Sequence, residues 1–355
     1  MKKHNFGAGP GILPASVLEQ AAQAVTDFEF SGLSILETSH RDKSMVAVID
    51  EAEQLVRSLL NLEDDYEVLF LTGGASTQFF MVPMNLLNDN EIATYIDTGE
   101  WASRAIVEAQ NFGKVHVAAS SRDKNYSYIP KDWTLAENSK YLHITSNNTI
   151  FGTQYHEYPT VPEETMLVCD MSSDIFSRRI DANKFDLIYA GAQKNMGPAG
   201  VTLVIVRKSA LGKVERIMPK MLDYRIHAKN KSSYNTPPVY PIYVSMLTLR
   251  WVQANGGLLG MENRNRAKAE LLYSELDNNP LFVPTAAKED RSWMNVTFLT
   301  ADPAHEELFS QYCKANGIVG INGHRSVGGF RASMYNALEI ESVEYLVELM
   351  RNFKP

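Results

Sequence analysis

The sequence predicts an α/β protein whose large domain is built on a mainly parallel, doubly wound sheet, with a smaller α+β domain at the C-terminal end. Two observations lead to this prediction. Short apolar runs between residues 67 and 206 alternate with segments of helical periodicity, as in consecutive βαβ units, and most of these runs are unbroken, as in strands covered on both faces. After two glycines at 256 and 257 the pattern changes to a long charged helix and isolated strands. The predicted divisions are an N-terminal arm over 1–14, a large domain over 15–255 and a small domain over 256–355.

The elements follow one another in a regular order along the chain. Residues 4–14 are rich in Gly and Pro and predict an extended arm, and the spacing of apolar residues predicts helices over about 15–28 and 44–60. Further helices are predicted to begin near Ala75 and Trp101. The predicted strands of the sheet are EVLFL, IATYID, KVHVA, YLHIT, MLVCD, FDLIYA and VTLVIV. The C-terminal part predicts a helix over 258–276, the strand WMNVTFL, a helix over 303–316, the strand GFRAS and a last helix over 341–353.

Composition and charge limit the classes of protein to which this chain can belong. Its 355 residues are 45% hydrophobic and 21% charged, as in an ordinary globular protein. The net charge of −8 argues against a general binder of nucleic acid or anionic membranes, so an anionic ligand would need a local cluster of Arg and His. The two cysteines, Cys169 and Cys313, lie far apart and provide neither a disulfide framework nor a CxxC metal site. No secretion signal follows the initial MKK, and we therefore expect a cytoplasmic location.

A single lysine in a tight turn is the most informative feature of the sequence. Lys194 lies in YAGAQKNMGPAG, between the apolar runs FDLIY and VTLVIV. Most lysines are solvated, so a surface loop is the ordinary interpretation of such a residue. Here the flanking strands look buried, and the small residues leave room for a ligand near the backbone. A desolvated lysine has a depressed pKa and can attack a carbonyl, for which pyridoxal phosphate is the most common partner.

Other strand ends offer the groups that such a cofactor would need. Asp170 ends the strand MLVCD, where a carboxylate could hold the proton of a pyridinium nitrogen, although it could equally be a helix cap. The glycine-rich segment 73–77 follows a strand and opens a helix, which is a potential anion site. Trp101 could stack on the pyridine ring, or lie in the core as buried tryptophans usually do. Thr149 could hydrogen-bond the ring hydroxyl.

This series of strand ends resembles the fold-type I enzymes that depend on pyridoxal phosphate (PLP). Within them, five motifs resemble the phosphoserine aminotransferase family of class V, and the resemblance extends from the first ten residues to the last helix. These motifs are NFGAGPG, SHR (39–41), YAGAQKNMGPAG, NTPP (235–238) and GHRSVGGFRAS (323–333). The resemblance implies transfer of the amino group of L-glutamate to 3-phosphohydroxypyruvate in L-serine biosynthesis. It also implies a possible role in pyridoxine biosynthesis.

The resemblance also implies roles for individual residues. Lys194 would bind the cofactor covalently and Asp170 would be its pyridinium partner, so that both are catalytic. The expected cofactor-binding residues are Ala75, Ser76, Trp101, Thr149, Asp170, Gln193, Lys194, Asn235 and Thr236. The expected substrate-binding residues are His40, Arg41, His324, Arg325 and Arg331. The family takes some of these groups from a second subunit, which implies a homodimer with shared active sites and small-molecule substrates, without nucleic acid or membrane partners.

Some alternatives stay open at this point. The family often has Arg or Cys in its phosphate loop where this chain has GGASTQF, so the donors to the cofactor phosphate are not settled. Another PLP aminotransferase for small acids, of the alanine–glyoxylate type, would have little use for the two His-Arg pairs. A cysteine desulfurase needs a cysteine on a mobile loop, whereas Cys169 and Cys313 fall in a predicted strand and helix. The GAGPG segment follows no strand, which disfavours a nucleotide-binding oxidoreductase. A non-catalytic binder of phosphorylated ligands on the same scaffold remains possible.

Overall fold

The computed structural model describes residues 3–355 and contains fourteen strands and nine helices in that range. The strands are β1 (His4–Asn5), β2 (Tyr66–Leu71), β3 (Ile92–Asp97), β4 (Lys114–Ser120), β5 (Ser139–Thr145), β6 (Asn147–Asn148), β7 (Thr153–Gln154), β8 (Met166–Asp170), β9 (Leu187–Gly191), β10 (Thr202–Arg207), β11 (Phe282–Pro284), β12 (Asn295–Thr300), β13 (Ile318–Val319) and β14 (Phe330–Ser333). The helices are α1 (Ala15–Thr26), α2 (Lys43–Leu60), α3 (Gly74–Leu86), α4 (Glu100–Ala109), α5 (Tyr224–Lys229), α6 (Val239–Ala254), α7 (Gly257–Asn278), α8 (Glu306–Ala315) and α9 (Ile340–Asn352).

Seven of the strands form one central sheet in the order β2-β10-β9-β8-β5-β3-β4. All neighbouring pairs are parallel except those of β10, which runs antiparallel to both β2 and β9. The predicted mainly parallel α/β sheet is therefore confirmed. Because their directions agree, the carboxyl ends of β2, β3, β5, β8 and β9 lie along one edge, which is where open α/β sheets bind ligands.

Helices cover both faces of this sheet, which explains why its central strands are unbroken apolar runs. One face packs against α1, α2 and α6, and the other packs against α3 and α4. All residues of β9 are buried, whereas β4 is only partly covered because it is an edge strand with one neighbour. The expectation of full burial for these runs thus holds for the centre of the sheet and fails at β4.

A separate hydrophobic cluster surrounds the antiparallel sheet β11-β12-β14, with α7, α8 and α9 packed around it. Within it Lys268 of α7 is completely buried, and its Nζ donates hydrogen bonds to three backbone carbonyl oxygens. These acceptors are Met334, Tyr335 and Leu338, at 2.9, 2.7 and 3.1 Å. The ammonium group therefore fixes the segment that joins β14 to α9. The domain boundary at residue 256 remains a prediction.

The N-terminal arm is more constrained than its glycine-rich sequence suggests. Its strand β1 pairs in parallel with β13, and the arm then continues to the turn that carries Lys194. There the backbone N–H of Gly11 donates to Gln193 O at 2.6 Å. A Cβ at Gly11 would lie 2.6 Å from Lys194 O, so no larger residue fits at this position. The hydroxyl of Tyr335 donates to Ala8 O at 2.6 Å and holds the arm from the other side.

Within the described range, the helices are all too short or too polar to cross a membrane.

Candidate active site

A cavity of about 260 Å³ opens at the carboxyl edge of the central sheet. Its walls come from the segments that follow β2, β3, β5, β8 and β9, as the alternation of strands and helices predicted. The lining residues are Gly73, Gly74, Ala75, Ser76, Phe79, Trp101, Thr145, Asn147, Asp170, Ser172, Ser173, Gln193 and Lys194. Six of the predicted site residues therefore share one cavity: Ala75, Ser76, Trp101, Asp170, Gln193 and Lys194.

Lys194 lies in the turn directly after β9, and its side chain is partly exposed to the cavity. Its Nζ donates a hydrogen bond of 2.8 Å to the Thr149 hydroxyl and lies 5.5 Å from the centre of the Trp101 ring. Burial lowers the pKa of Lys194 to about 8, while Asp170 opposes this shift and Arg331 adds to it. The amine is therefore much easier to deprotonate than that of an ordinary lysine, as a nucleophile or base requires.

Asp170 is the last residue of β8 and is 3% exposed. One carboxylate oxygen accepts a hydrogen bond of 2.9 Å from the backbone N–H of Ser172. Burial raises the pKa of Asp170, and hydrogen bonds from Ser172 together with the charge of Lys194 oppose that rise. A carboxylate in this position can hold a proton on a cationic partner inside the cavity.

The first turn of α3 forms an anion-binding wall of the cavity. Gly73 precedes the helix with φ of 95°, and a Cβ there would lie 1.8 Å from the Thr77 hydroxyl oxygen. No heavy atom lies within 4 Å of the position that a Cβ on Gly74 would take, so a ligand can approach the backbone there. Ala75 and Ser76 continue this wall. Backbone N–H groups at a helix N-terminus bind phosphate well.

The functional groups that line this cavity fit pyridoxal phosphate. They comprise an amine for its aldehyde, a carboxylate for its ring nitrogen and a helix N-terminus for its phosphate. In addition, Trp101 Nε1 is buried without a hydrogen-bond partner, as expected of a side chain that serves a bound group. Within the range that the structure covers, no three His, Cys, Asp or Glu side chains are grouped so that they could hold a metal ion.

Arg331 approaches the same region from β14. It is half-buried, its Nη1 lies 3.5 Å from Thr149 O, and its Nε is buried without a partner. His324 lies close enough to interact, because its pKa is lowered first by burial and then by the charges of Arg331 and Arg325. Its Nδ1 pairs with Ser326 Oγ at 2.7 Å. Arg331 thus places a positive charge close enough to Lys194 to lower its pKa, and the nearby Arg325 adds a second charge suited to an anionic substrate.

Eight of the predicted site residues do not line this cavity, and four of these lie away from it: His40, Arg41, Asn235 and Thr236. His40 and Arg41 lie before α2, where Arg41 is exposed. Asn235 lines a separate cavity of about 120 Å³ behind the helix N-terminus, and its Nδ2 donates to Thr236 O at 3.1 Å. These residues reach the cavity neither directly nor through a hydrogen bond that the structure records.

Several residues of the site were not predicted. Ser172 orients Asp170, and Asn147 lines the cavity from the segment after β5. Both lie within three residues of a strand end, which is the signal that could have identified them. Arg104 lies 5.1 Å from the centre of the Trp101 ring and pairs with Glu100, one turn away on α4. Arg104 follows Trp101 by three residues on a predicted helix, and this spacing could have indicated that the two side chains are in contact.

Comparison with known proteins gives a consistent result over the whole chain. Residues 4–346 match the family Aminotransferase class-V. The phosphoserine aminotransferase of Flavobacterium psychrophilum is 58% identical over 355 residues, which is 100% of this chain and 99% of that protein. The solved phosphoserine aminotransferase of Bacillus circulans subsp. alkalophilus has a TM-score of 0.96 at 46% identity, covering 99% of this chain and 98% of that one. PLP-bound phosphoserine aminotransferase of Trichomonas vaginalis has a TM-score of 0.93 at 36% identity, with 99% and 100% covered.

Proposed function

Because this chain belongs to the phosphoserine aminotransferases of class V, we propose that it transfers the amino group of L-glutamate to 3-phosphohydroxypyruvate, giving O-phospho-L-serine and 2-oxoglutarate. It is a PLP-dependent transaminase. The observation that carries the proposal is the convergence of Lys194, Asp170 and Trp101 on one cavity at the carboxyl edge of the sheet. When bound, pyridoxal phosphate supplies an aldehyde that reacts with amines and a protonated ring that withdraws electrons from the substrate α-carbon.

We assign the proton transfers to Lys194. Its Nζ would bind the cofactor at rest and, once released by the amino substrate, would remove the proton from the substrate α-carbon. The pKa of about 8 supports this role, because a useful share of the amine is neutral near physiological pH. Thr149, which accepts a hydrogen bond from Nζ, would direct the amine toward the cavity.

Asp170, Trp101 and the first turn of α3 would hold the cofactor. Asp170 would keep the proton on the ring nitrogen, and Trp101 would lie against the ring and use its free Nε1. Ala75 and Ser76 would bind the phosphate through backbone N–H groups and a hydroxyl, with Gln193 beside them. The open space beside Gly74 supports this arrangement, since a phosphate needs a close approach to the backbone.

We propose that Arg331 binds the substrate α-carboxylate through its guanidinium group. The buried, unpartnered Nε and the nearby Lys194 support this assignment, because the carboxylate must lie next to the reacting α-carbon. His324 and Arg325 would then meet the far end of the substrate. Glutamate and phosphohydroxypyruvate differ there, but both present an anion, so a single cationic group can serve both half-reactions.

We further propose a homodimer in which His40, Arg41, Asn235 and Thr236 complete the site of the second copy. All four lie outside the cavity of their own chain. Just before His40, the segment 28–36 exposes three large apolar side chains, as a surface that is covered by a partner would. These are Phe30, Leu33 and Leu36, which are 92%, 54% and 62% exposed. We also propose a cytoplasmic location, which the free, buried state of Cys169 and Cys313 supports.

The visible spectrum of the purified protein tests this function directly. We expect an absorption band of the lysine-bound cofactor that L-glutamate alone converts to the pyridoxamine form. Adding 3-phosphohydroxypyruvate should restore the band, whereas glyoxylate should not. A protein that stays colourless after addition of pyridoxal phosphate would contradict the enzymatic function and favour a non-catalytic binder. A band that glutamate leaves unchanged would contradict the proposed amino donor.

A further inference from the structure

Three buried polar side chains form a continuous line that leads from Asp170 into the core of the sheet. Asp170 of β8 and Tyr189 of β9 are paired residues on adjacent strands, and the Tyr189 side chain acts on the carboxyl as a donor that lowers the pKa of Asp170. His143 Nε2 lies 2.9 Å from the Tyr189 hydroxyl oxygen. Asp170, Tyr189 and His143 are 3%, 0% and 1% exposed, and the last two do not line the cavity. Buried polar groups of this kind have a substantial desolvation cost, so their arrangement calls for an explanation.

The protons in this line can be assigned from the number of donors. The Tyr189 hydroxyl has a single proton, and the carboxylate of Asp170 can only accept it. When Tyr189 gives that proton to Asp170, His143 donates from Nε2 to the Tyr189 oxygen. His143 is therefore the neutral tautomer with a proton on Nε2, and its Nδ1 is the unprotonated nitrogen that is buried without a partner. Both hydrogen bonds then point toward Asp170.

The surroundings keep both donors in their neutral forms. Burial raises the pKa of Tyr189 far above its usual value, and the negative charge of Asp170 raises it further. Burial lowers the pKa of His143 to about 3. The ring of Tyr95 stacks on His143 with centroids 4.8 Å apart, and Phe79 contacts Tyr189 edge-on. Within this line Asp170 is the charged group, and the charge of Lys194 acts on it from the cavity.

We propose that Tyr189 and His143 are positioning residues, which keep Asp170 ionised and oriented toward the ring nitrogen of the bound cofactor. The inference rests on the proposed function, because it assumes that pyridoxal phosphate occupies the cavity. A carboxylate surrounded by apolar side chains would otherwise tend to take up a proton and become neutral. A neutral Asp170 could no longer hold a proton on the ring nitrogen. The hydrogen bonds from Ser172 and the charge of Lys194 offset part of this tendency, and Tyr189, supported by His143, supplies a further part from the side of the core.

The test measures the ring nitrogen itself in the loaded protein. Wild type and the variants Tyr189→Phe and Tyr141→Phe are reconstituted with pyridoxal phosphate that carries ¹⁵N in the ring, and the ¹⁵N chemical shift is recorded. Tyr141→Phe is a matched control, because Tyr141 is equally buried in the same sheet and its hydroxyl pairs with that of Tyr95 at 2.7 Å. The dissociation constant for the cofactor is measured alongside, and thermal unfolding of each apoprotein checks folding.

We expect the wild type and Tyr141→Phe to show the shift of a protonated ring nitrogen. Tyr189→Phe should move the shift toward the unprotonated form and weaken cofactor binding about tenfold, since it removes a hydrogen bond to a charged group. If Tyr189→Phe does not fold, His143→Leu serves as the second variant and should give a smaller change in the same direction. A wild-type shift in either folded variant overturns the inference and leaves the function intact. Wild-type protein that binds no cofactor overturns the proposed function itself.

Discussion

Lys194 and Thr149, 45 residues apart in the sequence, are joined by a hydrogen bond of 2.8 Å between Nζ and the threonine hydroxyl. Thr149 also accepts a contact at its backbone oxygen from Arg331, at 3.5 Å. One short segment after β6 thus contacts both the lysine and the arginine of the site. This arrangement sets the distance between the amine and the guanidinium group before any ligand binds.

Replacing Lys194 should abolish turnover. We expect Lys194→Ala to lower kcat by at least about 10³-fold, because the variant loses both the amine that binds the cofactor and the base. The measurement is the rate of O-phospho-L-serine formation, together with the visible band of the cofactor. Lys184→Ala, at an exposed lysine before β9, is the control and should keep wild-type activity. Near-wild-type turnover by Lys194→Ala would contradict the assignment.

The capture of pyridoxal phosphate by the apoprotein should depend on pH with a midpoint near the pKa of Lys194, which burial lowers to about 8. Only the neutral amine attacks the aldehyde, so the rate should rise as pH increases through 8 and level off above it. Stopped-flow absorbance over a pH series measures this rate, with N-acetyl-lysine as a solution control. A midpoint near the ordinary value of 10.5 would show that the amine is not desolvated.

Gly73→Ala should damage both the fold and the anion site. The new Cβ would lie 1.8 Å from the Thr77 hydroxyl oxygen, at a residue with φ of 95°. We expect the free energy of unfolding to fall by about 1–3 kcal/mol. The variant should also lose more affinity for pyridoxal phosphate than for pyridoxal, because only the former carries the phosphate. Denaturant unfolding and equilibrium dialysis measure the two effects. Gly257→Ala has similar backbone strain, at φ of 60° and with only Leu59 within 4 Å, and should leave cofactor binding unchanged.

Arg331→Lys should raise KM for L-glutamate about 10–100-fold, because lysine keeps the charge but cannot grip a carboxylate with two parallel hydrogen bonds. The effect on cofactor affinity should be small. Arg250→Lys is a matched control. Arg250 binds the carboxylate of Glu51 with two nitrogens on the surface, and it does not line the cavity. Steady-state kinetics at fixed 3-phosphohydroxypyruvate provide the measurement. An unchanged KM would assign the α-carboxylate to another cation.

Lys268→Met should lower the free energy of unfolding by about 2–4 kcal/mol. Met fills similar space and is suited to an apolar surrounding, so the loss reports on the hydrogen bonds. The change leaves three buried carbonyl oxygens without their shared donor. Urea unfolding measures the loss, and Lys208→Met, at an exposed lysine with one carbonyl contact, should change stability by less than about 0.5 kcal/mol. A neutral result for Lys268→Met would show that the segment after β14 does not depend on this ammonium group.

Local patterns were enough to predict the sheet and the residues at its carboxyl edge. Each of these strands is a short apolar run, and each site residue follows one closely, so order along the chain determines position in space. The same logic did not reveal α6, because its buried side chains are distributed around the helix and give little periodicity. Tyr189 and His143 were not predicted as site residues for a related reason. They lie inside apolar runs, where a polar atom looks like part of the core.

Pairings between distant segments could not be predicted. Nothing in the sequence near Phe6 indicates that β1 pairs with β13, more than 300 residues further along. The same holds for the contact of Gly11 with the lysine turn and for that of Ala8 with Tyr335. Such contacts depend on the final packing of both hydrophobic clusters, which no local window of sequence contains.

The position of the arm has a consequence for the way the protein is made. Residues 4–11 leave the ribosome well before their partners at Gln193, at Ile318 and at Tyr335. The chain must therefore keep part of its own beginning undocked until nearly the last helix has emerged. The contact of Gly11 with the lysine turn can form once Gln193 is available, but the pairing with Ile318 and the bond from Tyr335 cannot. A nascent chain that stops before these residues therefore leaves the arm over the lysine turn only partly held.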